Sequence, residues 1–327
     1  MKELIEAFPN NLSEALNIAQ QAKFSQPKNE IRSIVICGMG GSGIGGKIVS
    51  QWIENDSKVP VLFTQDYTLP AFVDENSLVI GSSYSGNTEE TLYAVEEAKK
   101  RNCHIIGICS GGKMESFCKT NGYDHVIVPG GNPPRTTLAF SLVQLTNIFA
   151  QLGFGKQEYL KELESARELL INNQSQIIQE AKEIAQKLDG KTIAVYSSAE
   201  YDGVGIRAKQ QFNENAKVLC WQHVIPEMNH NELVGWGGGT NEYGALFLQT
   251  NDLSERNQKR FEISVETIKT KTDVVVVATA KGSTRIEKSI YLINLVDWVS
   301  FEWSQIRNVD PIEIKIIDYL KTELGKM

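Results

Sequence analysis

Cysteine and histidine are scarce in this sequence of 327 residues, and their spacing excludes several kinds of site. The five cysteines include no CxxC pair, and none of the four histidines belongs to an HExxH motif. An odd number of scattered cysteines indicates reduced thiols in a reducing compartment rather than a disulfide framework or a structural zinc site. We therefore expect no metal site and a cytoplasmic protein.

Clusters of positive charge and long apolar runs are also missing. The formal net charge is -7, and binding to a nucleic acid backbone needs clustered positive charge. No apolar run approaches the length of a membrane-spanning helix, and residues 1–9 are acidic and amphipathic, unlike a signal peptide. The sequence thus predicts a protein with neither nucleic acid nor membrane as a partner.

The chain is long enough for two domains, and each half alternates short apolar runs with segments of helical periodicity. This alternation predicts an α/β fold in which each half has a mainly parallel sheet flanked by helices. We place the domains at residues 1–154 and 155–327, with a connector helix over 157–188. The predicted strands are 34–37, 60–64, 77–81, 104–108 and 125–128, then 191–198, 217–220, 244–248 and 273–277. The other main predicted helices are 3–23, 136–154, 203–215, 285–303 and 311–324.

Residues 82–91 form a hydroxyl-rich turn between the buried strand at 77–81 and a helix. The first turn of a helix has unpaired N–H groups and partial positive charge, both of which suit a phosphate dianion. Gly86 would let the backbone approach a ligand closely. Three hydroxyl side chains could add donors: Ser83, Ser85 and Thr88.

Asn87 and Glu90 in this turn have the spacing of a capping box. An ordinary capped turn is the alternative interpretation, because serine, threonine, asparagine and glycine are common turn residues. The concentration of hydroxyls around one glycine after a buried strand favours a phosphate site.

A glycine-rich loop over residues 38–43 follows the first strand and has three possible interpretations. It satisfies GxGxxG, and Asp66 lies 23 residues beyond Gly43, as in dinucleotide-binding proteins. It nearly forms a P-loop, but Ile48 stands where a magnesium-binding Ser or Thr is required. In the third interpretation Gly40, Gly41 and Ser42 present amides to a sugar phosphate. The second loop, at 82–91, favours the third.

With both loops, the chain resembles the sugar isomerase (SIS) superfamily, and more narrowly the bifunctional phosphoglucose/phosphomannose isomerases. The resemblance implies two SIS domains, a homodimer, and interconversion of glucose 6-phosphate or mannose 6-phosphate with fructose 6-phosphate. It implies neither cofactor nor metal, and a place in glycolysis and gluconeogenesis. The segments that carry it are residues 38–46, 82–91, 132–135, 213–217 and 229–232.

The resemblance also assigns roles to single residues. Ser83, Ser85 and Thr88 match the phosphate site. Four residues match the catalytic groups: Glu214, His230, Arg135 and Lys321.

Isomerisation through a cis-enediolate needs a base that moves a proton between adjacent carbons, a positive group facing the enediolate, and an acid/base that opens the sugar ring. Glu214 suits the first role, Arg135 the second and His230 the third. In the family the histidine comes from the neighbouring subunit. Lys321 would contact the ring oxygen or a hydroxyl, although Lys315 and Lys326 are close in sequence.

Three alternatives remain at this point. A non-catalytic sugar-phosphate sensor is one, although the chain has no basic helical pair of the kind that binds DNA. An isomerase of another phosphosugar is the second, and an NAD-dependent oxidoreductase, suggested by GxGxxG and Asp66, is the third.

Overall fold

The computed structural model describes residues 1–238 and 241–326. The chain forms two compact units. The amino-terminal unit comprises residues 6–172 and 281–291, and the carboxy-terminal unit comprises 1–5, 173–280 and residues from 292 onwards. These limits describe packing, and the domain boundary between residues 154 and 155 stays a prediction.

A five-stranded parallel sheet forms the centre of the amino-terminal unit, in the order β2-β1-β3-β4-β5. Every residue of β1 and β3 is buried. Nearly continuous apolar strands of this kind are typical of parallel sheets with both faces covered. The predicted parallel sheet is therefore confirmed. Its strands are β1 (Ser33–Cys37), β2 (Val61–Thr64), β3 (Ser77–Ser82), β4 (His104–Cys109) and β5 (Asp124–Ile127).

Helices precede, alternate with and follow these strands. The prediction of one helix over 3–23 is wrong, because the chain breaks at Ala7 and a second helix begins at Phe8. Pro9 lies in the first turn of that helix, where its missing N–H costs nothing, but it could not continue a preceding helix. The helices are α1 (Lys2–Glu6), α2 (Phe8–Gln21), α3 (Gly40–Ile53), α4 (Glu89–Lys100), α5 (Gly112–Asn121), α6 (Leu138–Gln151) and α7 (Glu158–Leu188).

The carboxy-terminal unit has a four-stranded parallel sheet in the order β7-β6-β8-β9. This order repeats β2-β1-β3-β4 of the first sheet, in agreement with the similar layout of the two sequence halves. Its strands are β6 (Thr192–Ser198), β7 (Cys220–Ile225), β8 (Tyr243–Gln249) and β9 (Val275–Thr279). The helices that follow α7 in the chain are α8 (Asp202–Gln211), α9 (Glu232–Gly235), α10 (Glu255–Lys269), α11 (Arg285–Ile306) and α12 (Lys315–Leu324), and α11 belongs to this unit from residue 292 onwards.

The strand predicted over 217–220 is wrong in position, since β7 begins only at Cys220. Lys217 adopts a left-handed conformation with φ of 56° and ends the preceding helical segment, so it cannot start a strand. Within residues 1–238 and 241–326, no helix has the length and apolar character needed to cross a bilayer.

The thiols give a direct test of this fold. Burial raises the pKa of all five, to about 11 for Cys103 and about 12 for Cys118 and Cys220. Because the thiolate is the nucleophile, we expect the folded protein to react very slowly with DTNB at about pH 8. All five thiols should react once the protein is unfolded in denaturant. Rapid modification of two or more thiols in the folded protein would contradict the packing described above.

Candidate active site

The hydroxyl-rich turn lies at the carboxyl end of β3, directly before α4. Ser83 Oγ and Thr88 Oγ1 are 2.9 Å apart, and the Thr88 amide donates to Ser83 Oγ at 3.3 Å. The Asn87 amide donates to Ser85 Oγ at 3.2 Å. Ser83 is buried, Thr88 is half-buried and Ser85 is exposed. The three predicted hydroxyls thus share one turn at the start of a twelve-residue helix.

The predicted capping box is wrong. Thr88, not Asn87, is the residue that precedes α4, and no side chain among the described residues caps the helix. The Asn87 side chain instead accepts from the Lys113 amide at 3.1 Å and donates to the Ser85 carbonyl at 3.1 Å. The first amides of α4 are therefore left without a capping side chain, which is the condition that an anion at a helix start requires.

Position 86 in this turn requires a glycine. Its φ is 68°, and a Cβ built there would lie 1.8 Å from the Gly111 carbonyl oxygen. The Met114 amide donates to the Gly86 carbonyl at 2.9 Å, so the turn packs tightly against the start of α5. Only glycine combines this backbone conformation with this close approach.

The glycine-rich loop between β1 and α3 lies beside this turn. Ser42 Oγ accepts a hydrogen bond from the Tyr84 amide at 3.0 Å, which joins the two loops directly. A Cβ on Gly43 would lie 2.4 Å from the Gly38 carbonyl oxygen, so close packing of the loop on itself explains why glycine stands there. Asp66, on which the dinucleotide interpretation depended, is exposed, and its carboxylate accepts from the adjacent Tyr67 amide at 2.7 Å.

Arg135 lies in a short 3-10 turn, Pro134–Thr136, and is only 3% exposed. A Cβ on Gly41 would be 2.9 Å from the Pro134 carbonyl oxygen, so this turn packs against the glycine-rich loop. The amino-terminal unit therefore brings Arg135 to the two loops that hold the six predicted substrate- and phosphate-binding residues. A small pocket there is lined by Gly41, Ser42, Ser82, Tyr84, Pro134 and Thr137, among others.

Glu214 lies in a π-helical turn, Phe212–Ala216, that continues α8. Its side chain is half-buried, and the left-handed Lys217 ends the turn. Lys217 Nζ donates to the Glu214 carbonyl and, at 2.8 Å, to the Glu313 carbonyl. The sequence predicted the helix end but not the π-turn, a local departure from α-helix that is frequent at functional sites.

Five buried polar side chains, which we call the polar seam, hold α8 and this turn to α11. Asp297 of α11 accepts from Arg207 Nε at 3.1 Å, from Arg207 Nη2 at 2.9 Å and from Gln211 Nε2 at 2.8 Å. Asn215 Nδ2 donates to Ser300 Oγ at 2.9 Å. All five residues are buried. Sequence reasoning missed the seam, although polar residues at spacing four, 207, 211 and 215, were a readable signal of one helix face.

His230 and Lys321 are both exposed. His230 ends a 3-10 turn, Glu227–His230, and its ring has no hydrogen-bond partner within residues 1–238 and 241–326. On and near α12, Lys315 pairs with Glu313 at 3.1 Å and Lys326 with Glu323 at 2.6 Å. Lys321 has no ion pair in the described part of the chain.

His223, the nearest rival to His230 in sequence, has a carboxylate partner. Its Nδ1 lies 2.7 Å from Glu232 Oε2. Among the described residues, no group of three His, Cys, Asp or Glu side chains could hold a metal ion.

Comparisons with known proteins match both halves of the chain. Residues 29–126 match the SIS domain, and residues 177–324 match the bacterial phospho-glucose isomerase C-terminal SIS domain. A bifunctional phosphoglucose/phosphomannose isomerase from Aquifex aeolicus is 38% identical, covering 90% of this chain and 91% of its own. Another bifunctional phosphoglucose/phosphomannose isomerase, from Caldicellulosiruptor bescii, is 33% identical, and the alignment covers 100% of this chain and 99% of the relative.

Among solved structures, the C-terminal domain of glucosamine-fructose-6-phosphate aminotransferase from Francisella tularensis superposes with a TM-score of 0.76. The superposition covers 96% of this chain and 97% of that domain, at 16% sequence identity. This likeness concerns the fold alone, and agrees with two SIS domains, each a parallel sheet flanked by helices.

The tight packing at Gly86 predicts a substitution that removes anion binding. Gly86→Ala would add a clash with the Gly111 carbonyl to the left-handed strain, and should distort the turn. We expect inorganic phosphate to raise the melting temperature of the wild type but not of this variant. Gly122→Ala is the matched control, because Gly122 has φ of 69° and a Cβ built there would meet no atom of residues 1–238 and 241–326 within 4 Å. If phosphate raised the melting temperature of Gly86→Ala as much as that of the wild type, the interpretation of this turn as a phosphate site would be contradicted.

The seam predicts a stability effect. Asp297→Asn would leave the Arg207 guanidinium buried beside a neutral partner, and should lower the free energy of unfolding by about 3–5 kcal/mol. Urea denaturation measures this change. Glu262→Gln, which breaks the exposed pair with Lys259, should have no measurable effect. An equally small effect of Asp297→Asn would show that the seam does not stabilise the π-turn.

Proposed function

The chain belongs to the family of bifunctional phosphoglucose/phosphomannose isomerases, and we propose that it interconverts glucose 6-phosphate and mannose 6-phosphate with fructose 6-phosphate through a cis-enediolate. It is a sugar-phosphate isomerase. The observation that carries the choice of substrate is the turn at Ser83–Thr88, where hydroxyl and amide donors converge at an uncapped helix start. Neutral donors suit a phosphate that must be released again after each turnover.

Glu214 is the proposed base, moving the proton between C1 and C2. Its half-buried position at a rigid π-turn supports this role, because a proton shuttle must be held in a fixed geometry. Arg135 is the proposed electrophile. Its guanidinium keeps its charge at any working pH, and its burial beside the glycine-rich loop supports a contact with the enediolate oxygen.

His230 is the proposed acid/base for ring opening, acting in the site of a neighbouring subunit of a homodimer. Exposure of its ring and the absence of a partner in the described residues support this arrangement. Helix α12 also supports a second copy, since Ile316 and Leu320 on it are 86% and 57% exposed. Lys321, on the same helix, is the proposed contact for the ring oxygen.

Use of both epimers is part of the proposal. Glucose 6-phosphate and mannose 6-phosphate differ only at C2, so both form the same enediolate after rotation about C2–C3. We further propose that the enzyme works in the cytoplasm, in glycolysis and gluconeogenesis, without a cofactor or a metal.

Purified protein treated with EDTA and given fructose 6-phosphate tests the proposal. We expect both glucose 6-phosphate and mannose 6-phosphate to appear in coupled assays. Glu214→Gln keeps the shape of the side chain but cannot carry the proton, and should lower kcat by about 10²–10⁴-fold. Glu266→Gln on the exposed face of α10 is the control and should keep full activity.

The outcomes separate the parts of the proposal. Glucose 6-phosphate alone would contradict dual specificity but retain the mechanism. Full activity in Glu214→Gln would remove Glu214 as the base. Neither product, from protein with an intact melting transition, would contradict hexose 6-phosphates as substrates.

A further inference from the structure

The carboxylate of Glu232 accepts hydrogen bonds from three different side chains. Its Oε1 accepts from Tyr196 Oη and, at 2.7 Å, from Trp221 Nε1. Its Oε2 lies 2.7 Å from His223 Nδ1. Trp236 Nε1 donates to Tyr196 Oη at 2.8 Å. We call these five residues the Glu232 cluster.

The sheet register explains why these donors converge. Strands β6 and β7 pair in parallel, with Tyr196 opposite His223 and Ala194 opposite Trp221. Alternate residues of a strand point to the same face, so all three donors lie on one face of two adjacent strands. An ionised carboxylate suits this position, because it can accept from all three donors at once.

Glu232 lies two residues after His230 and anchors the backbone on that side. On the other side, Asn229 Nδ2 donates to Ser264 Oγ of α10 at 2.7 Å, and Met228 is fully buried. The Asn231 side chain accepts from the Glu232 amide and donates to Glu227 Oε1 at 2.9 Å. His230 is therefore an exposed ring, without a hydrogen-bond partner in the described part of the chain, on a segment that is fixed before and after it.

We propose that Glu232 is a positioning residue for His230: it ties the segment carrying the imidazole to β6 and β7, so that the ring is presented in one place. The proposal rests on the ring-opening role of His230 proposed above. A group held in advance reacts without first losing its conformational freedom, and a displacement of about 1 Å can cost about 10²-fold in rate.

The side-chain chemistry makes Glu232→Gln and Glu232→Ala an informative pair. The Gln amide oxygen can accept from Tyr196 and Trp221, and its NH₂ group can donate to His223 Nδ1 once that ring takes the other tautomer. Gln thus preserves the tether without the charge, whereas Ala removes every bond. A positioning role requires the tether, but a direct acid/base role of Glu232 would require the carboxylate itself.

We expect Glu232→Ala to lower kcat with fructose 6-phosphate by about 10- to 100-fold, and Glu232→Gln to retain most of the activity. The inhibition constant of an open-chain phosphorylated aldonate should stay unchanged in both, since this ligand needs no ring opening. Glu266→Ala is the matched exposed control. Equal losses in the Gln and Ala variants would overturn the proposal.

A double-mutant cycle with His230→Ala completes the test. If Glu232 acts through His230, Glu232→Ala should cause little further loss of kcat in the His230→Ala background. Multiplicative losses would show a merely structural role and contradict the proposal. Tyr196→Phe removes the hydroxyl that donates to Glu232 and accepts from Trp236, with little change in volume, and covers the case in which Glu232→Ala does not fold. Its smaller loss should likewise vanish in the His230→Ala background, and an undiminished loss there would contradict positioning. A wild type without isomerase activity would instead refute the proposed function.

Discussion

The in-register parallel pairing of β1 with β3 is the constraint on which the proposed phosphate site depends. Cys37 lies opposite Gly81, so the two strands end within one residue of each other and their following loops emerge side by side. The hydrogen bond from the Tyr84 amide to Ser42 Oγ then joins these loops. A shift of register by one residue would separate them and turn the buried apolar side chains of both strands to the wrong face.

A second, independent constraint acts in the carboxy-terminal unit. There the buried Arg207–Asp297 pair and Gln211 hold α8 against α11, and Asn215 ties the π-turn that carries Glu214 to Ser300 of the same helix. The Glu232 cluster fixes the segment of His230 to β6 and β7 in the same way. In both places the polar groups that hold the proposed catalytic residue are more buried than that residue, so neighbours supply rigidity while the residue itself stays accessible.

The sequence predicted what depends on local pattern and missed what depends on tertiary contact. Apolar runs located β1, β3 and the turn of Ser83, Ser85 and Thr88, because a buried strand and a hydroxyl-rich helix start are visible in a few residues. The break at Ala7 was missed, since the apolar periodicity continues through it. Asn87 could not be assigned correctly, because its partner, the Lys113 amide, lies 26 residues away. The roles proposed for Glu214 and His230 came from the resemblance to a family, and no pattern alone indicated them.

The central claim is that the proton moves through a base and a cis-enediolate, and isomerisation in D₂O tests it most directly. We expect deuterium at C2 of the glucose 6-phosphate formed and at C1 of the recovered fructose 6-phosphate. Both signals should be lost in Glu214→Gln. Deuterium-free product from the wild type, formed equally fast by Glu214→Gln, would indicate direct hydride transfer between the two carbons and would contradict the account.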